Sequence, residues 1–287
     1  MARSILPIKR MPLVRAGAAW LAAAAAVLIL TSFMLPPRIA DSIAIVAHRG
    51  ASAYAPENTM AAFELAAEMQ ADYIELDVHM SKDGELVVIH DEALARTTDG
   101  EGLVKDHTWE ELRQLDAGGK FDPVYRGEPI PLLREVLARY AGRIGILIEL
   151  KSPAQYPGLE EKLAELIEET VQGQPSDSSA TPIMVQSFDL GSIQRLAKRL
   201  PDIPRAALIG TGDQPLLTDT QLSDIAAYAD YINYNYEFLD WELVDRIHAY
   251  DRKVMAWTLR DSQDSERISR IGVDGIITDY PVWAYER

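Results

Sequence analysis

Apolar, strand-like segments alternate with helix-like segments over residues 43–278, and this alternation constrains the fold more than any other feature of the sequence. The strand-like segments are short and rich in β-branched residues, which is typical of parallel strands buried on both faces. The strand candidates are 43–47, 73–78, 86–90, 145–150, 183–187, 205–209, 231–234, 254–259 and 275–278. They predict an α/β protein with a (β/α)8 barrel of the TIM type, although such a barrel has room for only eight of them.

The surplus strand candidate, 86–90, is interpreted as the returning arm of a hairpin. Only residues 81–85 separate it from the strand before it, which is too few for a parallel crossover. Within this connection Asp83-Gly84 is a strong signal for a two-residue hairpin turn. With these two residues as the loop, Asp77 is predicted to face His90 across the hairpin.

This hairpin begins an insertion, 79–130, between strand 2 and its helix. The insertion is predicted to carry a small helix at 109–115. The helices of the barrel are predicted at 58–70, 131–141, 158–172, 190–200, 218–229, 238–250 and 262–271.

The first forty residues differ from the rest of the chain. Residues 16–35 carry no charge, and as a helix this run of twenty residues would cross a hydrocarbon core of ~30 Å. Four basic residues precede the run and one follows it. The positive-inside rule therefore predicts a cytoplasmic segment 1–15, a transmembrane signal anchor 16–35, a linker 36–42 and an extracytoplasmic barrel domain 43–287. A cleaved signal peptide fits less well, because the apolar run is long and lacks a small-residue cleavage site, and a buried alanine-rich helix is a further alternative.

Charge and cysteine content exclude several classes of function. Residues 1–40 hold +5 of a formal net charge of −16, so that −21 falls on residues 41–287. A body this acidic is not expected to bind nucleic acid. The absence of cysteine excludes disulfides, thiolate metal sites and a cysteine nucleophile. The sequence leaves the oligomeric state open.

Carboxylates stand inside two of the predicted strands. Glu75 and Asp77 are two residues apart and point to the same face of strand 2, and Glu149 lies near the end of another strand. Buried carboxylates are unfavourable unless a cation compensates their charge, and Ca²⁺ or Mg²⁺ prefers oxygen ligands of this type. We therefore predict a divalent cation site at these three residues. Salt bridges at the ends of the strands are the alternative.

Basic residues follow the strands at the same predicted edge of the barrel. Residues 43–50, IAIVAHRG, end an apolar strand with His48 and Arg49, and Lys151 follows a second strand. A lysine beside carboxylates suits a phosphate oxygen that bridges to a cation. His48 and His90 can each serve as a general acid or base near neutral pH.

Ten short motifs in a fixed order resemble the glycerophosphodiester phosphodiesterase family across residues 43–283. The motifs are AHRG at 47–50, PENT at 56–59, ELDV at 75–78, SKDGELVVIHD at 81–91, RTTDGEG at 96–102, IPLLREVL at 130–137, IELK at 148–151, VQSFD at 185–189, AWT at 256–258 and TDYP at 278–281. Each motif alone is short, but their joint order and spacing make the resemblance specific. The resemblance implies a TIM-type barrel with an insertion between strand 2 and helix 2, and a requirement for Ca²⁺ or Mg²⁺.

The resemblance also implies roles for the residues that match the motifs. Glu75, Asp77 and Glu149 resemble the metal ligands of the family. His48 and His90 resemble its acid/base pair, which agrees with the chemistry expected of histidine.

Further matched residues resemble the family's contacts to substrate. Arg49 and Lys151 resemble phosphate contacts, and Glu57 and Asn58 resemble supporting residues around the first loop. The aromatic candidates for lining the substrate side, with barrel-mouth packing as the alternative for each, are Phe188, Tyr234 and Trp257. The chain departs from the family at Arg260, where members often carry asparagine, and this puts contacts to the leaving group in doubt.

The expected function is the metal-dependent hydrolysis of glycerophosphodiesters to glycerol 3-phosphate and an alcohol, by histidine acid/base catalysis at the C-terminal mouth of the barrel. The expected substrate is a glycerophosphodiester or a lysophospholipid, and the expected membrane contact is the anchor. One alternative is a phospholipase D-like or cyclic-phosphate-forming action on lysophospholipids at the same site. Another is an inactive barrel that binds envelope polymers, but all seven residues assigned to the chemistry are present.

Overall fold

The barrel can be traced in a computed structural model, which describes residues 43–173, 182–210 and 216–282. The strands are β1 (Ala44–Ala47), β2 (Tyr73–Met80), β3 (Leu86–Val88), β4 (Gly145–Leu150), β5 (Ile183–Ser187), β6 (Arg205–Ile209), β7 (Tyr231–Asn235), β8 (Met255–Leu259) and β9 (Gly275–Thr278). Eight of them pair in parallel in the order β1-β2-β4-β5-β6-β7-β8-β9, and β9 pairs with β1 to close the barrel. The predicted TIM-type barrel is confirmed.

Helices follow the strands as predicted, with ends that differ by a few residues. They are α1 (Met60–Glu68), α2 (Trp109–Leu112), α3 (Leu133–Tyr140), α4 (Leu159–Gln172), α5 (Leu190–Arg199), α6 (Asp219–Ala226), α7 (Trp241–His248) and α8 (Ser262–Ser269). The start of α1 illustrates the cause of these differences. Thr59 has an extended backbone and accepts a hydrogen bond from the Ala62 backbone N–H through its side chain, so it caps the helix from outside.

The alternation of side chains along each strand separates two apolar layers. In β2 and β4 one set of residues faces outward and packs against the helices, as Ile74, Leu76, Ile146 and Ile148 do. The opposite set faces the barrel interior. There an apolar layer fills the barrel: Val46, Leu147, Met184, Ala206, Met255 and Ile277. This inner layer closes the barrel beneath the C-terminal ends of the strands.

The hairpin is confirmed, but its predicted register is wrong by one residue. β3 pairs antiparallel to β2 with Val78 opposite Val88, and Ile89 donates its N–H to the Asp77 carbonyl at 3.0 Å. The connection has three residues, 82–84, instead of two, and it ends at Gly84 with φ of +87°. Because the side-chain alternation has a period of two, this extra loop residue moves His90 beyond the position opposite Asp77.

The insertion that begins with the hairpin has its own small core. Its buried apolar residues are Val87, Ile89, Leu94, Val104, Leu112, Ala117 and Ile130. The predicted helix at 109–115 is present but shorter, since α2 ends at Leu112. The insertion is thus a packed unit above the barrel mouth.

The predicted segments 1–15, 16–35 and 36–42 lie outside the described residues. Within the part of the chain that the structure describes, no helix has the length and apolar character needed to cross a membrane.

Candidate active site

The candidate site lies one layer above the apolar inner layer, at the C-terminal mouth of the barrel. Residues two positions further along the same strands point in the same direction. These residues are His48, Glu149, Gln186, Leu208, Trp257 and Asp279. Five of the six line a pocket of about 180 Å³, and Asp279 forms a hydrogen bond with His48. The remaining lining residues are Arg49, Glu75, His90, Lys151, Phe188, Thr258 and Ile277.

The three predicted metal ligands come together. Glu75, Asp77 and Glu149 are buried, and one carboxylate oxygen of each lies within 4.8 Å of the others. Register explains the meeting, because Asp77 is the neighbour of Glu149 in the β2–β4 ladder. Three buried oxygen donors at this spacing fit a hard divalent cation such as Ca²⁺ or Mg²⁺.

Burial and mutual repulsion set the charge of this carboxylate cluster. Burial, followed by Asp77 and Glu149, raises the pKa of Glu75 well above its usual range. Burial and Asp77 likewise raise the pKa of Glu149 to about 7 against the attraction of Lys151. Burial also opposes ionisation of Asp77, but Arg49 and Lys151 outweigh it and lower the pKa of Asp77 to about 2. The cluster therefore gains from a bound cation, which would favour the ionised form of all three groups.

His48 is held by an aspartate. Its Nδ1 lies 2.6 Å from Oδ1 of Asp279, and Asp279 is fixed in turn by Ser52 and Arg260. Burial opposes ionisation of Asp279, but His48 and Arg260 together outweigh it and lower the pKa of Asp279 to about 2, so this carboxylate is ionised and can only accept. Nδ1 of His48 therefore carries the proton, and Nε2 is the basic nitrogen. Burial lowers the pKa of His48 despite Asp279, which favours the neutral imidazole.

His90 has a matching arrangement on the insertion side. Its Nδ1 lies 2.6 Å from Oδ1 of Asp91, and its Nε2 lies 3.2 Å from Nζ of Lys151. Burial, opposed by Asp77, lowers the pKa of His90, and Arg49 and Lys151 lower it further. Below the ring, His79 is fully buried and contacts the His90 carbonyl with Nε2 at 2.9 Å. His79 therefore supports the backbone at His90.

The positively charged side chains of Lys151 and Arg49 lie between the histidines and the carboxylates. Nζ of Lys151 is 2.7 Å from Glu149 and 3.6 Å from Asp77. Nε of Arg49 lies 3.3 Å from Asp77, is buried and has no hydrogen-bond partner, and the Arg49 backbone N–H donates to Glu75 at 2.8 Å. A buried N–H that has no hydrogen-bond partner among the described residues is suited to an acceptor oxygen on a ligand.

Glu57 and Asn58, the candidates for supporting residues around the first loop, contact Arg49 and Asp77. Glu57 accepts a hydrogen bond from Nη1 of Arg49 at 2.8 Å. Asn58 donates to the Asp77 carboxylate at 2.8 Å and accepts from the Asp77 backbone N–H at 3.2 Å. Arg49 and Asn58 both adopt positive φ, of +56° and +58°. Such a backbone costs about 1–3 kcal/mol per residue and is retained here by these contacts.

Two of the three aromatic candidates line the pocket. The rings of Phe188 and Trp257 meet edge to face with centroids 5.4 Å apart. Tyr234 is the exception, because it is fully buried in the core between the barrel and its helices, where its hydroxyl accepts from the Leu217 backbone N–H. The period-two alternation explains the error: Asn233 faces the barrel interior, so Tyr234 faces outward.

Several residues that build the site were missed from the sequence. Gln186 donates to Glu75 at 3.4 Å and accepts from Asn233 at 3.1 Å, which links the carboxylates to the far side of the barrel. Asp279 and Asp91, which hold the two histidines, were missed as well. A period-two count upward from the apolar inner layer would have found Gln186 and Asp279.

Similarity to known proteins agrees with this geometry. Residues 48–282 match the glycerophosphoryl diester phosphodiesterase family. A glycerophosphodiester phosphodiesterase from Bacillus subtilis is 39% identical over 270 residues, covering 88% of this chain and 92% of the relative. One from Caldanaerobacter subterraneus is 40% identical over 240 residues, covering 83% of this chain and 94% of the relative.

A solved structure agrees in fold over the same region. It is an Oleispira antarctica phosphodiesterase in complex with the product sn-glycerol-3-phosphate, with 32% sequence identity and a TM-score of 0.73. The alignment covers 85% of this chain and 95% of that chain. The chain therefore belongs to the glycerophosphoryl diester phosphodiesterase family and is an enzyme of that class.

Proposed function

We propose that this enzyme hydrolyses glycerophosphodiesters to glycerol 3-phosphate and an alcohol in the pocket at the barrel mouth. The observation that carries the proposal is that two aspartate-bound histidines, two positively charged side chains and two members of the buried carboxylate cluster line one cavity. A relative whose structure holds sn-glycerol 3-phosphate as product supports the same substrate class.

Glu75, Asp77 and Glu149 would hold a Ca²⁺ or Mg²⁺ ion. When bound, the ion would neutralise a phosphate oxygen and stabilise the negative charge that develops during the reaction. Arg49 and Lys151 add positive charge on the protein side of the same pocket. The edge-to-face pair Phe188 and Trp257 offers an apolar wall for the carbon skeleton of the substrate.

The two histidines divide the proton transfers. One histidine takes the proton of the glycerol 2-hydroxyl, whose oxygen attacks phosphorus, and the other gives a proton to the alcohol oxygen as its bond to phosphorus breaks. Water then opens the resulting cyclic phosphate with the roles reversed. Asp279 and Asp91 hold Nδ1 of His48 and His90, so that Nε2 of each ring is the nitrogen that exchanges protons.

The test measures glycerol 3-phosphate release from glycerophosphocholine and glycerophosphoglycerol by the full chain, with Ca²⁺, with Mg²⁺ and with chelator. We expect cation-dependent release that His48→Ala reduces by at least ~100-fold, in the range of general acid–base catalysis. His107→Ala is the matched control, because His107 lies in the insertion and contacts the Glu101 carbonyl, away from the pocket. Release that is unchanged in His48→Ala would contradict the proposal.

The product separates this reaction from its alternative. An enzyme that stops after the first step would accumulate the cyclic phosphate, and a 2-deoxy substrate analogue would be inert in both reactions. Full activity on the 2-deoxy analogue would instead indicate direct attack by water. Lysophospholipids with the same glycerophosphate group are the second substrates to assay.

We further propose that residues 16–35 anchor the enzyme in the cell membrane with the barrel outside. The support is the uncharged run of twenty residues and the basic residues before it. When membranes are washed with alkaline carbonate, the full chain should stay in the membrane pellet. A variant that lacks residues 1–35 should be found in the supernatant after the same wash. Protease added to intact cells stripped of their wall should remove the barrel. Carbonate release of the full chain would contradict the anchor.

A further inference from the structure

A continuous chain of ion pairs connects the phosphate side of the pocket with His90. Its central member is Arg96, in the insertion. Nη1 and Nη2 of Arg96 donate to the two carboxylate oxygens of Glu57 at 2.8 and 2.7 Å. Nε and Nη2 of the same side chain donate to the two oxygens of Asp91 at 2.5 and 3.1 Å. One guanidinium thus holds two carboxylates, each through two hydrogen bonds.

Each of these carboxylates is also bound to a residue of the pocket. Glu57 accepts from Nη1 of Arg49 at 2.8 Å, and Asp91 accepts from Nδ1 of His90 at 2.6 Å. The contacts therefore run from Arg49 through Glu57, Arg96 and Asp91 to His90. Arg49 and His90, at the two ends of this ion-pair series, line the catalytic pocket, whereas Arg96 itself does not.

The exposure of the members shows that this is more than a surface ion pair. The side chains of Glu57 and Asp91 are 22% and 28% exposed, and that of Arg49 is 16% exposed. Arg96 is 46% exposed, but four of its N–H groups are directed to the two carboxylates. Bidentate arginine–carboxylate pairs of this kind fix orientation as well as charge.

We propose that Arg96 is a positioning residue that sets the geometry of Arg49 and His90 together, acting through Glu57 and Asp91. This inference rests on the proposed roles of Arg49 as a phosphate contact and His90 as an acid or base. The insertion thereby does more than cover the barrel mouth, because it supplies both His90 and the arginine that aligns His90 with the phosphate site. Displacements of about 1 Å at reacting groups can reduce rates about 100-fold.

The test compares Arg96→Lys with Arg113→Lys in the full chain. Lysine keeps the charge but cannot make two bidentate contacts. Arg113 lies in the same insertion with similar exposure, 52%, and among the described residues its ion pair is with Glu110 in the preceding turn. We expect Arg96→Lys to lower kcat at least ~10-fold and to weaken competitive inhibition by glycerol 3-phosphate, while Arg113→Lys keeps both within about 2-fold. Melting temperatures identify any variant that fails to fold.

Two further variants separate the contact to Arg49 from the contact to His90. Glu57→Gln should weaken inhibition by glycerol 3-phosphate, because it loosens Arg49. Asp91→Asn should lower kcat more than it weakens that inhibition, because Asp91 contacts His90 directly and reaches Arg49 only through Arg96 and Glu57. A role in folding only would lower the melting temperature without this division between kcat and inhibition.

The outcomes distinguish this inference from the proposed function. If the wild type shows no cation-dependent release of glycerol 3-phosphate, the proposed function fails. If the wild type is active and His90→Ala is inactive, but Arg96→Lys matches the wild type in kcat and inhibition, the role of Arg96 is overturned while the function stands. Loss of kcat in Arg96→Lys with unchanged inhibition would also overturn the joint role.

Discussion

At the scale of residues, the carboxylate cluster carries opposing requirements for stability and function. Glu75, Asp77 and Glu149 are buried within 4.8 Å of one another, so that their charges repel unless a cation lies between them. The raised pKa of Glu75, caused first by burial and then by the two neighbouring carboxylates, reflects this repulsion. The site should therefore strain the cation-free fold and stabilise the cation-bound fold.

The substitution Glu75→Gln tests this balance through stability rather than activity. In chelator we expect the variant to melt at the same temperature as the wild type or higher, because one repelling charge is removed. With saturating Ca²⁺ the wild type should gain several degrees, since a ligand at 100 times its Kd contributes about 2.7 kcal/mol. Equal Ca²⁺ shifts in the two proteins, measured by differential scanning calorimetry, would show that the ion binds elsewhere.

At the scale of elements, the turn from β1 to α1 shows why a strand can end in His48, Arg49 and a glycine. Gly50 has φ of +79°, and a Cβ atom there would lie 2.7 Å from backbone and side-chain atoms of Ala62 in α1. The absence of a side chain lets α1 approach the turn closely, and this brings Asn58 and Glu57 toward the pocket residues.

The substitution Gly50→Ala should be more harmful than Gly127→Ala, its matched control. Gly127 also has positive φ, of +89°, but no atom lies within 4 Å of the position of its Cβ. Backbone strain alone costs about 1–3 kcal/mol, so Gly127→Ala should lower the melting temperature moderately and keep activity. Gly50→Ala should lower it further and reduce kcat, because α1 must move. Equal effects on melting and no effect of either substitution on kcat would contradict the close approach.

At the scale of the whole molecule, the two ends of the barrel serve different purposes. The C-terminal mouth holds the pocket, whereas the opposite end holds ion pairs that connect loops to strands. Arg205 pairs with Asp230 there at 3.0 Å. His248, at the end of α7, contacts Asp274 at 2.9 Å, and Asp274 also accepts from the Val254 backbone N–H beside β8. These contacts are expected to affect stability and not catalysis.

His248→Gln provides a pH-dependent test of that division. The hydrogen bond to Asp274 raises the pKa of His248 above 6.5. A raised folded-state pKa means that protonated His248 stabilises the fold below pH 6.5, and that this contribution is lost as pH rises through the folded-state pKa. The variant should therefore melt lower than the wild type at pH 5.5, with a difference that shrinks by pH 9, and its activity at pH 8 should match the wild type. A difference in melting that grows with pH would contradict this assignment.

The order of strands and helices and the chemical type of the site follow from the amino-acid sequence alone. Hydrophobic periodicity is a local property, so the eight barrel strands were identified to within a few residues, and period-two spacing was enough to pair Glu75 with Asp77. The strand-end position of His48, Arg49 and Lys151 similarly followed from the rule that the carboxyl ends of parallel strands share one edge.

Which residues meet across different elements depends on the packing of the folded chain. The three-residue loop that ends at Gly84 shifts His90 by one position relative to the prediction. The amino-acid sequence of the hairpin is compatible with a two-residue loop as well, so it did not reveal this shift. The outward direction of Tyr234 and the pairing of Asp279 with His48 depend on strand register and closure of the barrel. The contacts of Arg96 depend on how the insertion packs. Such contacts join residues up to 231 positions apart, and local sequence patterns carry no information about that distance.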